Sequence, residues 1–457
     1  MVRRLIALGT ATLTLGGIGS NPLEATATTA GLAPERPNIL IIVVDDQRIG
    51  TLDVMPNVVD RFANEGTEYT DAFVTTPLCC PSRGSIFTGR YTHNHHVAAN
   101  AGDAVQSLDQ STTLAYYMKE AGYRTGIFGK YFNPWPLDRR PPHFDRWAVT
   151  NFNYYDAKFN VQGRQKVVRK YSTDFIASKS AAFIDQGTTE ATDPWFLYVA
   201  PNAAHSPFTP ERGHADDPVP PLVRDPAMRE RDRSDKPRWV RTENEGRSAA
   251  TIRRRQLRTL MSVDDMVGRL FDTLEETGQS DNTLAIFVSD NGYFWGDHGL
   301  GDKRLPYLPA VRVPLLARWP GHVVGGATDD RLVANIDIAP TVLEAAGIVP
   351  AHPVDGTSLF SNRTRQSLLI EYFRDDPPFD RVPSWAGIHT DAYQYIEYYA
   401  NNGRQIFREY YDLAADPYQL VNLLGDDDKT NDPTALQLRT LSNRLELDRS
   451  CSGTTCP

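Results

Sequence analysis

The residues best equipped for chemistry cluster at Cys79-Cys80-Pro81-Ser82-Arg83, followed by Phe87-Thr88-Gly89-Arg90-Tyr91. Two of the chain's four cysteines stand there, directly before a proline suited to the first turn of a helix. Free N–H groups and the positive end of such a helix would face Cys79. Arg83, one turn further on, could reach the same anion, so the turn has the makings of an anion-binding nucleophile. Plainer readings stand beside this one: a strained vicinal disulfide, two buried thiols acting as small hydrophobes, or half a zinc site completed by His93, His95 and His96. The regular Cys/His spacing of structural zinc sites is absent.

Acids form the second group. Asp45-Asp46 follows the apolar run Asn38-Ile39-Leu40-Ile41-Ile42-Val43-Val44, and Asp290-Asn291-Gly292 follows Leu284-Ala285-Ile286-Phe287-Val288-Ser289. Taken singly, each is also an ordinary turn or helix cap. Both runs read as strands buried on two faces of a parallel sheet, where ligands collect at the carboxyl ends. Together Asp45, Asp46, Asp290 and Asn291 make an oxygen-rich set that suits Ca²⁺ or Mg²⁺ better than zinc.

The cysteine segment resembles the Cys-x-Pro-Ser-Arg signature of the type I, formylglycine-dependent sulfatases of the alkaline-phosphatase-like superfamily. With Tyr91-Thr92-His93-Asn94-His95-His96 it is further similar to the N-acetylglucosamine-6-sulfatases and heparan sulfate endosulfatases. The resemblance implies that Cys79 is oxidised to Cα-formylglycine by the formylglycine-generating enzyme. It also implies that residue 79 joins Asp45, Asp46, Asp290 and Asn291 as a metal ligand. Gly129-Lys130 resembles the family's sulfate-holding lysine segment, and Gly296-Asp297-His298-Gly299-Leu300-Gly301-Asp302-Lys303 the loop with its second sulfate lysine. His205 in His205-Ser206-Pro207 matches the residue that contacts the ester oxygen and protonates the leaving alcohol. Two departures stand out. Phe132 occupies the place of a histidine that many members use to deprotonate the formylglycine hydrate, leaving His95 and Asn133 as candidates. Leu308-Pro309-Ala310 replaces a stretch that often carries an acid.

The expected catalytic set is therefore Cys79, Arg83, Lys130, His205 and Lys303. The implied reaction is hydrolysis of sulfate monoesters of a sulfated sugar or glycan, with aryl sulfates as surrogates. Alternatives are a phosphoesterase or phosphonate monoester hydrolase of the same superfamily, or a secreted, non-catalytic binder of sulfated glycans if Cys79 stays unmodified.

The elements needed to position these groups are legible as further patterns. Thr125-Gly126-Ile127-Phe128-Gly129 and Trp195-Phe196-Leu197-Tyr198-Val199-Ala200 read as strands that end before Lys130 and His205. Helices are expected at 56–66, after the cap at Ser111-Thr112-Thr113, at 257–277 with an apolar stripe from Leu260 to Leu274, and near 336–347. Beyond 347 the segments shorten and alternate, as in a small antiparallel sheet with a final helix. The fold class is α/β: a large mixed, mostly parallel sheet flanked by helices, with a smaller C-terminal α+β subdomain. The expected division is 1–27 signal peptide, 36–347 catalytic domain and 348–457 C-terminal subdomain.

At 457 residues and 40% hydrophobic content the chain can bury a large core, and its net charge of −9 argues against a general nucleic-acid binder. Between Arg224 and Arg258 twelve basic residues face six acidic ones, which reads as a solvated insertion and helix start or as a contact for an anionic polymer. Met1-Val2-Arg3-Arg4, an apolar stretch and Ala25-Thr26-Ala27 read as an export signal too short to span a membrane. A secreted or periplasmic location is therefore expected, in which Cys451 and Cys456 would form a disulfide.

Overall fold

The computed structural model describes residues 36–133, 135–150, 153–186, 193–243, 248–375, 377 and 381–457. The expected signal peptide at 1–27 lies outside the described residues. Among those residues no helix is long and apolar enough to cross a membrane.

The strand Asn38–Val44 sits inside the main sheet, hydrogen-bonded in parallel to Thr283–Ser289 on one side and Trp195–Ala200 on the other. Its unbroken apolar run has a simple cause. Ile39, Ile41 and Val43 enter one hydrophobic core while Leu40, Ile42 and Val44 enter a second across the sheet, so neither parity can be polar. Arg124–Gly129 and Arg146–Thr150 continue the parallel order beyond Trp195–Ala200. An antiparallel hairpin, Ala157–Val161 with Arg164–Val168, extends that edge. At the other edge Leu315–Arg318 runs antiparallel to Thr283–Ser289 and pairs with Thr67–Tyr69, which pairs with Ala327–Asp329. Among the described residues the sheet has ten strands and is mixed but mostly parallel at its centre.

The long helix Ala249–Glu276 packs Leu260, Val263, Val267, Leu270, Phe271 and Leu274 into the second core. It starts eight residues before the expected Leu257, so Arg253, Arg254 and Arg255 lie on its opening turns rather than in a loop. The expected helix at 56–66 is a short α-turn, Pro56–Val58, that widens into a π-turn, Val59–Ala63. Ile338–Ala345 and Leu114–Glu120 form as expected; the Thr113 hydroxyl caps the latter by accepting from Tyr116 N–H.

A second sheet is wholly antiparallel, in the order Leu368–Tyr372, Ser384–His389, Tyr393–Tyr399, Gln405–Asp412. The final helix, Ala435–Asp448, begins at a capping box in which Thr434 and Gln437 satisfy each other's backbone N–H groups. Cys451 and Cys456 form the expected disulfide, with Cα atoms 5.0 Å apart.

Candidate active site

The helix Cys79–Thr88 is buried along its whole length, and Leu78 before it is extended, so Cys79 sits at the first turn as the Pro81 position requires. The Cys80 N–H, one of the N–H groups a helix start leaves without an intrahelical partner, donates to Asn100 Oδ1 at 2.9 Å. Gly84 lets the helix lie against His95: a Cβ there would meet the imidazole at 2.7 Å. Cys79 and Cys80 are both free thiols. Burial raises the Cys80 pKa, and its sulfur accepts from Asn133 N–H at 3.3 Å. This is the buried-thiol arrangement for Cys80, with no vicinal bridge.

The carboxyl ends of the central strands are stitched together around Cys79. Asp45 N–H donates to Ala203 C=O at 2.9 Å, and Asp290 N–H to Val44 C=O at 3.0 Å. Lys130 N–H donates to Ala200 C=O at 2.7 Å. Gly129 makes that last contact possible, because it has φ +112° and a Cβ on it would lie 1.9 Å from Ala200 O. The Cys79 thiol donates to Asp45 Oδ1 at 3.6 Å, and Lys303 Nζ donates to Cys79 Sγ at 3.2 Å. Lys130 pairs with Asp45 and Lys303 pairs with Asp46. Arg83 Nε donates to Asp290 Oδ2 at 2.8 Å, and its guanidinium lies 3.8 Å from Asp45 Oδ2. Asn291 Nδ2 donates to Asp46 Oδ1 at 2.7 Å.

Nine sequence-derived residues thus converge: Asp45, Asp46, Cys79, Arg83, Lys130, His205, Asp290, Asn291 and Lys303. Burial alone would raise the pKa of Asp45 and Asp46, but Lys130 and His205 around the first and Lys303 and His205 around the second hold both carboxyls low. The same pairs work in reverse on the bases. Burial opposes the charge of Lys130 and Lys303, yet Asp45 and Asp46 keep both ammoniums ionised. His205 Nδ1 lies 2.8 Å from Ser206 C=O and Nε2 lies 3.9 Å from Asp46 Oδ2. Burial lowers its pKa, and Asp45 and Asp46 more than offset that, bringing it to about 9.

The donor set fits a hard divalent cation. Ligand atoms of Asp45, Asp46, Cys79 and His205 lie within 4.8 Å of one another. Beside them Asn291 Oδ1 is a buried acceptor with no hydrogen-bond partner among the described residues, an expensive condition that a cation would relieve. His205 Nε2 lies close to these atoms as well, and the expected ligand Asp290 also accepts from Arg83 and, at 3.2 Å, from Asp46 N–H.

The remaining candidates sit elsewhere. Phe132 is fully buried among Phe87 and Tyr131. His95 Nδ1 accepts from Val97 N–H at 3.1 Å and Nε2 lies 3.2 Å from Ser85 Oγ; burial lowers its pKa to about 3, so it is a neutral packing residue. His93 bridges Glu371 and Cys451 C=O, each at 3.0 Å, which uses both nitrogens and leaves none for zinc. His298 bonds Glu230 at 2.7 Å. Sequence reasoning missed Asn100, and also Asn335, whose amide holds the cysteine helix through Ser82 Oγ at 2.9 Å and Thr75 N–H at 3.1 Å. No local pattern marks either residue.

Known proteins share this chain's pattern. The family model described as Sulfatase matches residues 37–348, and one described as N-sulphoglucosamine sulphohydrolase, C-terminal, matches residues 296–446. The chain is 32% identical over 485 residues to N-acetylglucosamine-6-sulfatase of Homo sapiens, covering 93% of this chain and 86% of that protein. It is 34% identical over 348 residues to the extracellular sulfatase SULF-1 homologue of Drosophila melanogaster, covering 71% of this chain. It spans half or less of the extracellular sulfatase relatives, 31% of the Drosophila protein and 50% of one from Caenorhabditis elegans. A solved structure described as a complex with its substrate D-glucosamine-2-N,6-O-disulfate superposes with a TM-score of 0.74 at 27% identity, covering 90% of this chain and 97% of that one.

Proposed function

The chain belongs to the sulfatase family, and from that premise we propose that it hydrolyses sulfate monoesters of a sulfated glycan, at residue 79. The observation that carries this reading is the convergence of Lys303 on Cys79, and of Lys130 and Arg83 on the Asp45 that Cys79 bonds, at the start of a buried helix. A sulfate monoester presents anionic oxygens that repel any nucleophile. Three fixed cations at the start of a buried helix would neutralise them, in surroundings where such charges act strongly.

Each residue then has a task. Arg83, Lys130 and Lys303 bind and orient the sulfate group, and remain ionised because their carboxylate partners are buried with them. Asp45 and Asp46 raise the His205 pKa, and its Nε2 would donate a proton to the departing alcohol oxygen. Formylglycine at position 79, made from Cys79 by the formylglycine-generating enzyme, would supply a hydrated aldehyde as the attacking hydroxyl. Asp45, Asp46, residue 79, Asp290 and Asn291 would hold Ca²⁺ or Mg²⁺, which supplies further neutralisation of developing negative charge.

A glucosamine-type sulfate is the favoured substrate because N-acetylglucosamine-6-sulfatase aligns over nearly the whole chain. Secretion or periplasmic export is the favoured location, supported by the extracellular relatives and by a disulfide suited to an oxidising compartment.

The test pairs a peptide mass spectrum across residues 79–83 with turnover of an aryl sulfate, an aryl phosphate and N-acetylglucosamine-6-sulfate. Formylglycine with preferred sulfate turnover, abolished by chelator and restored by Ca²⁺ or Mg²⁺, is the expected result. Faster phosphate turnover would shift the reading to a phosphoesterase. An unmodified thiol in native material that binds glycan without turnover would replace the enzyme by a binder.

A further inference from the structure

We propose that Glu409 is a positioning residue for Lys303, acting through Tyr307, and that the C-terminal sheet serves the reaction by gripping the segment that carries this lysine. The proposal rests on the reading of Lys303 as a sulfate-binding group.

Lys303 stands between two residues in the left-handed region, Asp302 at φ +61° and Arg304 at φ +83°. Neither is glycine, so both carry a steric cost that the chain would shed if it were free to relax. The segment from Arg304 to Leu308 is held at four of its five residues. Trp385 Nε1 donates to Arg304 C=O at 2.8 Å, Gln394 Nε2 to Pro306 C=O at 2.6 Å, and Leu308 N–H to Gln419 Oε1 at 2.8 Å. Between these backbone contacts the Tyr307 hydroxyl donates to Glu409 Oε1 at 2.9 Å.

Glu409 is the centre of the grip. Oε1 also accepts from Tyr411 at 3.0 Å and Oε2 accepts from Tyr398 at 2.8 Å, and all four side chains are fully buried. Trp385, Gln394, Tyr398, Glu409 and Tyr411 come from three adjacent strands, Ser384–His389, Tyr393–Tyr399 and Gln405–Asp412, paired so that Trp385 faces Tyr398 and Gln394 faces Tyr411. They form one polar face inside an otherwise apolar core. A buried carboxyl surrounded by three phenols is costly to build unless all its bonds are made, and a made network is rigid. The rigidity is delivered to Tyr307, four residues from Lys303. Lys303 Nζ in turn sits 3.2 Å from Cys79 Sγ, where a displacement of about 1 Å matters to rate.

The experiment compares wild type, Glu409→Ala, Glu409→Gln, Lys303→Ala and the double variant Lys303→Ala/Glu409→Ala. Each is assayed with an aryl sulfate and normalised to the formylglycine content at position 79 and to the folded fraction. Glu409→Ala should lower kcat/KM about 30-fold. Glu409→Gln should recover most of it, because its Oε1 can accept from Tyr307 and Tyr411 while its amide donates to Tyr398. In the Lys303→Ala background the alanine at 409 should cost nothing further, since there is no lysine left to position. Amide hydrogen exchange should rise at 302–308 in Glu409→Ala and stay unchanged in the central sheet. Should Glu409→Ala not fold, Tyr307→Phe, which removes only the hydroxyl, takes its place.

Two results overturn the proposal: a full, additive loss on top of Lys303→Ala, or faster exchange spread over the whole chain. A wild type that leaves aryl sulfate intact while exchange still localises to 302–308 refutes the sulfatase reading and keeps the grip. Normal sulfate turnover that is indifferent to Glu409 does the reverse.

Discussion

The ammonium of Lys303 lies 3.2 Å from the sulfur of Cys79, although 224 positions separate them in the chain. Asp46 shares the same ammonium, so one positive group touches both Cys79 and Asp46.

Lys303→Ala should reduce kcat/KM for an aryl sulfate by about 10²–10³-fold, the usual loss when a fixed charge on a transferring oxyanion is removed. Steady-state kinetics at matched formylglycine content checks this. A loss under about fivefold would show that Lys303 does not touch the sulfate.

Asp45→Ala removes the carboxylate that the buried Lys130 ammonium pairs with, and leaves Arg83 with one acid fewer. Removing one partner of a buried pair costs about 3–5 kcal/mol. Urea unfolding in chelator should show that drop, and the double variant Asp45→Ala/Lys130→Met should recover part of it.

Gly129→Ala should cost about 2–4 kcal/mol, because φ is +112° and the new methyl would collide with Ala200 O. Gly122→Ala is the control: φ is +83°, but nothing among the described residues lies within 4 Å, so only the backbone strain of roughly 1–2 kcal/mol remains. Equal melting temperatures for the two variants would contradict the close approach.

The pH dependence of stability should carry the mark of Glu409. Burial pushes its pKa from 4.5 up to about 7, with the hydroxyls of Tyr398, Tyr307 and Tyr411 and the Lys236 ammonium pulling only partly against it. The folded state therefore binds this proton more tightly than the unfolded chain. Its contribution is fully present below pH 4.5 and is lost as pH rises to about 7, by roughly 3 kcal/mol. The difference in unfolding free energy between Glu409→Gln and wild type should grow across that window. His95 acts with the opposite sign: burial holds its pKa at about 3, so the stability it carries above pH 6.5 is lost as pH falls. The Gln variant comparison cancels that second contribution.

The amino-acid sequence by itself determined the two-faced burial of Asn38–Val44 and Thr283–Ser289, since only a strand with core on both sides needs seven successive residues with no exposed position. It also determined the helix start at Cys79, through Pro81, and the placing of Asp45, Asp46, Asp290 and Asn291 at strand ends. These are local facts, written in periodicity and in residues of restricted backbone. It left the hairpin 157–168 unread, because its second strand is mostly exposed and carries Arg164, Gln165 and Lys166, a polar run with no core face to show. Tertiary structure alone decided that Lys130 pairs with Asp45 and Lys303 with Asp46, that His205 joins the acids, and that Asn100 caps the cysteine helix. Such contacts join segments from 20 to 257 residues apart. They depend on where the packed sheet brings the loops, and a lysine or asparagine in sequence looks the same whether it ends in water or against a buried carboxylate.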